Sequence, residues 1–210
     1  MALRKASEPA GLRRIEPRDY IRDGAGLTEQ LQDPDAGTRR WAARDLAEHP
    51  GQDTVAALCS HLLKEQDASV REVIFTTLTC LGGSDTVDGL LPLLRSEDAN
   101  LRNSAIETLS SLPEPVGPRI DALLKDADPD VRIFTVNLLG DLRHPEVGRW
   151  LSTVMTEDPH VNVVGAALEV LAEVGAPGAL PALKQARLRF ADDPFIGFAA
   201  DLAEQRIEAP

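Results

Sequence analysis

An aspartate returns every thirty-odd residues along this chain, each time at the head of the same short pattern. The pattern is clearest at Asp128-Pro-Asp-Val131-Arg132, Asp67-Ala-Ser-Val70-Arg71 and Asp98-Ala-Asn-Leu101-Arg102. It is looser at Asp35-Ala-Gly-Thr38-Arg39 and fainter at Asp158-Pro-His-Val161-Asn162 and Asp193-Pro-Phe-Ile196-Gly197. The intervals between these aspartates are 32, 31, 30, 30 and 35 residues. A near-constant period of this size specifies a stacked repeat, in which each unit buries its apolar face only against its neighbours.

Each aspartate precedes an apolar run with helical spacing, such as Val70, Ile74, Leu78 and Leu81. A second, shorter apolar run stands before it, such as Val55, Leu58, Leu62 and Leu63. The unit is therefore a helix A, a turn, and a helix B. The predicted pairs are about 26–32 with 36–48, 53–64 with 68–81, 85–95 with 99–111, 116–125 with 129–142, 145–156 with 160–174 and 177–190 with 194–207. Pro50-Gly51, Gly82-Gly83, Pro113 with Pro115, His144-Pro145 and Gly175 with Pro177 punctuate the units. The expected fold is all-α, a solenoid of about six helix pairs over 26–210. Residues 1–25, with Pro9, Gly11, Pro17 and Gly24, read as an arm carrying a short helical turn at 17–22.

The repeated polar residues have a structural job. An aspartate before helix B caps free backbone N–H groups and complements the positive helix end. The arginine four residues on can reach an aspartate of a neighbouring unit. Asp67, Arg71, Asp98, Arg102, Asp128 and Arg132 are thus expected to form a ladder along the stack.

A two-helix unit of about 30 residues opening its second helix with Asp-x-x-Val-Arg resembles the HEAT repeat. More narrowly it resembles the short HEAT-like repeats of phycobilisome (bilin) lyases. The resemblance implies an α-solenoid whose B helices line a concave, partner-binding side. Units five and six depart from the pattern, with Asn162 and Gly197 in place of the arginine and a B-helix register shifted by one or two residues.

Composition narrows the function. The formal net charge is −12, and of 22 basic and 34 acidic side chains residues 1–24 hold six and four, leaving 16 and 30 for the array. Such an array is poorly suited to a nucleic-acid backbone, whose binding needs clustered Lys and Arg. That disfavours the HEAT-like DNA glycosylases as a model. No apolar run is long enough to span a membrane, and no signal peptide is visible, so a cytoplasmic location is expected. Cys59 and Cys80, offset by roughly 10 Å on antiparallel helices, are expected to be free, core or half-buried thiols.

Catalytic patterns are sparse. His49, His61, His144 and His160 are expected to stand without the i, i+4 partner of a helix-borne zinc site, and His49 and His144 to be solvated. The adjacent His-Glu pairs of HEAT-like diiron hydroxylases are missing. Asp126 to Asp130 lacks the glycine and distal glutamate of a calcium loop, and Gly24-Ala-Gly26 is too short to cradle phosphate. Trp41, Trp150, Phe75 and Phe134 read as packing residues. No metal or cofactor is expected.

What remains is surface. Positions 5, 9 and 12 after each aspartate point away from the buried stripe. They give Arg40, Arg44 and Ala47, then Glu72, Thr76 and Thr79, then Asn103, Glu107 and Ser110, then Ile133, Asn137 and Gly140. Of these, Arg40, Arg44, Glu72, Thr76, Asn103, Glu107 and Asn137 are the expected contacts for a protein partner bearing a basic patch. The expected function is a non-catalytic adaptor, scaffold or assembly factor. The alternative implied by the resemblance is a bilin-lyase-like subunit for chromophore attachment.

Overall fold

The computed structural model describes residues 23–208. The arm, with its helical turn at 17–22, falls almost wholly outside them. Twelve α-helices run in antiparallel pairs, and no strand occurs among the described residues. The A helices are α1 (Gly24–Gln30), α3 (Gln52–Leu62), α5 (Gly83–Leu90), α7 (Pro113–Leu123), α9 (Val147–Glu157) and α11 (Leu180–Arg189). The B helices are α2 (Ala36–Asp45), α4 (Ala68–Leu81), α6 (Ala99–Ser110), α8 (Pro129–Asp141), α10 (Val161–Val174) and α12 (Pro194–Glu208). Helix α5 tightens into a 3-10 stretch, Leu91–Arg95, at Pro92, which has no N–H to give.

The aspartates set the B-helix starts. Asp35 accepts from Thr38 N, Asp67 from Ser69 N and Val70 N, Asp98 from Asn100 N and Leu101 N, and Asp128 from Asp130 N. Unit five differs: its N-cap is His160, and Asp158 instead ends α9. The register has slipped by two residues. Asp158 corresponds to Asp126 in unit four, since each accepts the backbone N–H two residues on. From the caps Asp128, His160 and Asp193 the spacing stays regular despite the altered sequence.

One apolar core runs through the stack, from Leu27 in α1 to Ala203 in α12. Except at α4 and α6, neighbouring B helices pack more closely than neighbouring A helices, and the B layer is called the inner layer below. Small residues permit the approach, as with Ala105 in α6, Ala167 in α10 and Ala200 in α12, all fully buried. Buried Thr77 Oγ donates to Ala43 O of the preceding B helix at 3.0 Å. Cys59 is buried, and burial pushes its thiol up to about 11; Cys80 is exposed, contrary to expectation, because it lies beyond the packed stripe of α4. Both are free.

Histidine 144 is half-buried rather than solvated. Its ring lies 4.8 Å from that of buried Trp150 and presses where a side chain on Gly117 would stand, 2.9 Å from that Cβ position. Of the four aromatics read as packing residues, Trp41 stays substantially exposed, at 41%.

The turn from unit two to unit three depends on Gly82, at φ +60° and ψ −157°. That conformation belongs almost solely to glycine. Gly82→Ala is expected to lower unfolding free energy by about 1–3 kcal/mol, read from the urea midpoint; an unchanged midpoint would show that the turn relaxes freely.

Candidate functional site: the inner face and the arginines beneath it

The arginine of each of units one to four does two things. It first ties its own A–B turn, donating to the carbonyl six residues back. Arg39 Nη1 reaches Asp33 O at 2.8 Å, Arg71 Nε reaches Glu65 O at 2.7 Å, Arg102 Nη1 reaches Ser96 O at 2.7 Å and Arg132 Nη1 reaches Asp126 O at 2.8 Å. These carbonyls sit just past an A-helix end, where intrahelical partners run out. Unit five has Val164 where the arginine would be, and Arg189 of α11 supplies the missing group. It donates to Asp158 O and Met155 O, each at 2.7 Å.

The arginine then reaches the next unit, though not always where the sequence suggested. Arg71 Nη1 contacts Asp98 at 2.7 Å. Arg39 engages Glu65 with both oxygens, at 2.7 and 2.9 Å, and Arg132 engages Asp158 likewise, at 2.7 and 3.1 Å. Asp67 takes no arginine among the described residues and caps its own helix. Arg102 does not reach Asp128. Arg95 lies between them, bonded to Asp126 and 3.5 Å from Asp128. Arg102 instead lies over the Phe134 ring at 4.5 Å, a cation–π contact with the next unit. The better acceptor is thus the residue two before the cap, as with Glu65, Asp126 and Asp158.

Two features went unread in the sequence. An outer ladder joins the A helices through paired bonds, Arg119 to Asp88 at 3.0 and 2.8 Å and Arg149 to Asp121 at 3.1 and 3.0 Å. Its signal was present as Asp and Arg about one period apart. The second feature is His61 and Glu65, an i, i+4 pair that was passed over. His61 Nε2 meets Glu65 Oε2 at 2.8 Å, and both side chains are buried. Glu65 therefore joins Arg39, His61 and two backbone N–H groups, which explains the pair as structural.

The inner-face positions fall as follows. Glu72, Thr76 and Glu107 line a furrow of about 560 Å³ between α4 and α6. Asn103 and Asn137 are exposed on the same layer outside it. Arg40 and Arg44 are exposed but engaged: Arg40 donates to Ser69 Oγ at 2.9 Å, and Arg44 pairs with Asp45 and stacks on Trp41. Position 12 turns inward, so that Ser110 is buried. No ion pair involves the Glu72 or Glu107 carboxylate among the described residues. Nor does any group of three or more His, Cys, Asp or Glu among them suit a metal ion.

The HEAT repeats family matches residues 24–110 and 116–196, most of the chain. The protein belongs to the HEAT-repeat family. Among individual relatives, "Uncharacterized phycocyanin operon protein Z" of Pseudanabaena tenuis is 24% identical over 190 residues, covering 86% of this chain and 93% of that one. Solved HEAT-like folds are also similar. Cex1p matches 87% of this chain and 41% of its own, at 18% identity and a TM-score of 0.50. The CpcE–CpcF complex of phycocyanin lyase from Nostoc sp. matches 96% of this chain and 100% of that one, at 18% identity and a TM-score of 0.38. No described helix of this HEAT array is long and apolar enough to cross a membrane.

Acid should probe the Glu65 cluster. Arg39 beside it, first of several hydrogen-bond donors, holds its carboxyl down to about 2 from the usual 4.5. A depressed carboxylate contributes stability that is full above its unfolded pKa and lost as pH falls through its folded one. The wild type should therefore lose stability between about pH 4.5 and pH 2. Glu65→Gln should be destabilised at neutral pH by about 1–3 kcal/mol, because half-buried Arg39 loses its carboxylate partner and keeps only its turn carbonyls. It should also show a flatter acid limb in denaturant titrations. Parallel acid limbs would refute the assignment.

Proposed function

We propose that this HEAT-repeat protein is a non-catalytic interaction module that holds a protein partner on the inner, B-helix face. The observation that carries this reading is the furrow between α4 and α6. Its wall carries Glu72 and Glu107, which no cation of the described residues neutralises, whereas Glu65, Asp88, Asp98, Asp121 and Asp158 all meet arginines. Carboxylates left unpaired on a polar groove favour a partner with a basic patch, because complementary fields speed and orient encounter. The array positions side chains along one face, and that is what binding requires.

A second reading, a bilin-lyase-like chromophore subunit, is favoured by one observation: the similarity to phycocyanin operon protein Z. The two separate in one experiment. The full chain is used to capture partners from host lysate, and a purified hit is titrated against wild type and Glu72→Arg/Glu107→Arg. Both positions are exposed, so the melting midpoint should hold while binding weakens at least about tenfold. Equal binding by the variant would refute the inner-face assignment. A visible-absorbance change on mixing the chain with a free bilin would support the second reading instead.

A further inference from the structure

The furrow between α4 and α6 has a counterpart at the far end of the same face. Between α10 and α12 lies a cavity of about 410 Å³ lined by Glu169, Ala172, Glu173, Phe195, Phe198, Ala199, Leu202 and Arg206. Counted from each cap, the linings correspond. Thr76 and Thr79 on one wall become Glu169 and Ala172. Asn100, Ser104, Glu107 and Ser111 on the other become Phe195, Ala199, Leu202 and Arg206. The same groove position is polar in the middle of the array and apolar at its C-terminal end.

Three large apolar side chains stand open there. Phe198 is 66% exposed, Phe195 49% and Leu202 38%. They recur at i, i+3 and i+7 on α12, a stripe that a water-facing helix surface does not call for. Gly165 in α10 keeps the furrow deep enough for Phe195 to lie across it, with Cε1 2.8 Å from where a Cβ would be. Glu169 and Glu173 border the apolar floor, one helical turn apart, and neither takes part in an ion pair among the described residues. Arg206 is the single basic side chain of the lining.

Resting on the inner-face reading above, we infer that this furrow is the anchor subsite for one amphipathic helix of a protein partner. The helix would bury a bulky apolar side chain between Phe198 and Leu202 and place Lys or Arg beside Glu169 and Glu173. Charge selects this occupant over a second copy of the chain. A two-fold pairing of the face with itself would bring two glutamates and one arginine from each copy together, a net-negative lining against a net-negative lining. A helix laid in a groove uses apolar anchors at this spacing, with flanking charges for orientation.

The test uses the full chain and a labelled amphipathic peptide with leucines on one face and lysines on the other, followed by fluorescence anisotropy. Matched peptides replace the lysines by glutamates, or the leucines by serines. The leucine–lysine peptide should bind, and each matched peptide should bind at least about tenfold more weakly. Phe198→Ser/Leu202→Ser should weaken it by about the same factor with no fall in melting midpoint, since both side chains are exposed. Glu169→Gln/Glu173→Gln should erase the preference for lysine over glutamate. Binding unaffected by Phe198→Ser/Leu202→Ser but lost in Glu72→Arg/Glu107→Arg would overturn this inference and leave the inner-face reading standing. Binding indifferent to both pairs would overturn both. Concentration-dependent self-association abolished by Phe198→Ser/Leu202→Ser would overturn it in favour of a second copy.

Discussion

Everything in this array rests on a guanidinium held between a carbonyl of its own unit and a group of the next. A single helix pair leaves carbonyls unsatisfied at the end of helix A and leaves an apolar face open. One arginine answers both needs. Its planar fork carries five donors, enough to tie the A–B turn and still grip the neighbour. Arg39, Arg71 and Arg132 grip a carboxylate; Arg102 grips the face of Phe134. The Arg132–Asp158 pair is the most buried of these contacts, and there the guanidinium must be paired, which fixes where the next unit may sit.

The exceptions show what is conserved physically and what is free. In unit five the arginine is gone, yet the turn carbonyl Asp158 O is still tied, by Arg189 from the following A helix. The carbonyl needs a donor; the donor's place in sequence is negotiable. Arg102 and Arg95 divide between them a task that Arg132 performs alone. Because these duties fall at the fourth position of helix B and two residues before its cap, positions 5 and 9 remain free. Those two positions face outward on the inner layer. They run from engaged arginines in unit one, through Glu72, Thr76 and Glu107, to Phe198 and Leu202 in unit six. The scaffold contacts thus occupy a different side of each B helix from positions 5 and 9.

The architecture was legible because its signals are local. Caps, turns and apolar stripes placed α4 at Ala68–Leu81, the boundary expected from the sequence. Acceptors were less legible, since they depend on turn geometry: Glu65 outcompetes Asp67 because it projects across the unit boundary while Asp67 folds back onto its own helix. Unit five falls at its expected place with the expected shift of register, and only the residue that caps its B helix differs from the sequence pattern. The Asp-Pro dipeptide at 158 imitates a cap, but α9 runs through to Glu157 and pushes α10 two residues on. Counting inner positions from Asp158 lands on buried residues such as Val163 and Ala167. The C-terminal furrow emerges only when the count starts from His160.

The most direct measurement is a double-mutant cycle across the junction of units four and five, with Arg132→Met, Asp158→Asn and the double variant, each unfolded in urea. If the guanidinium–carboxylate grip sets the neighbour in place, the two sites should couple by at least about 1.5 kcal/mol. Effects that simply add, to within about 0.5 kcal/mol, would mean that apolar packing alone stacks the units and that the arginines only decorate it.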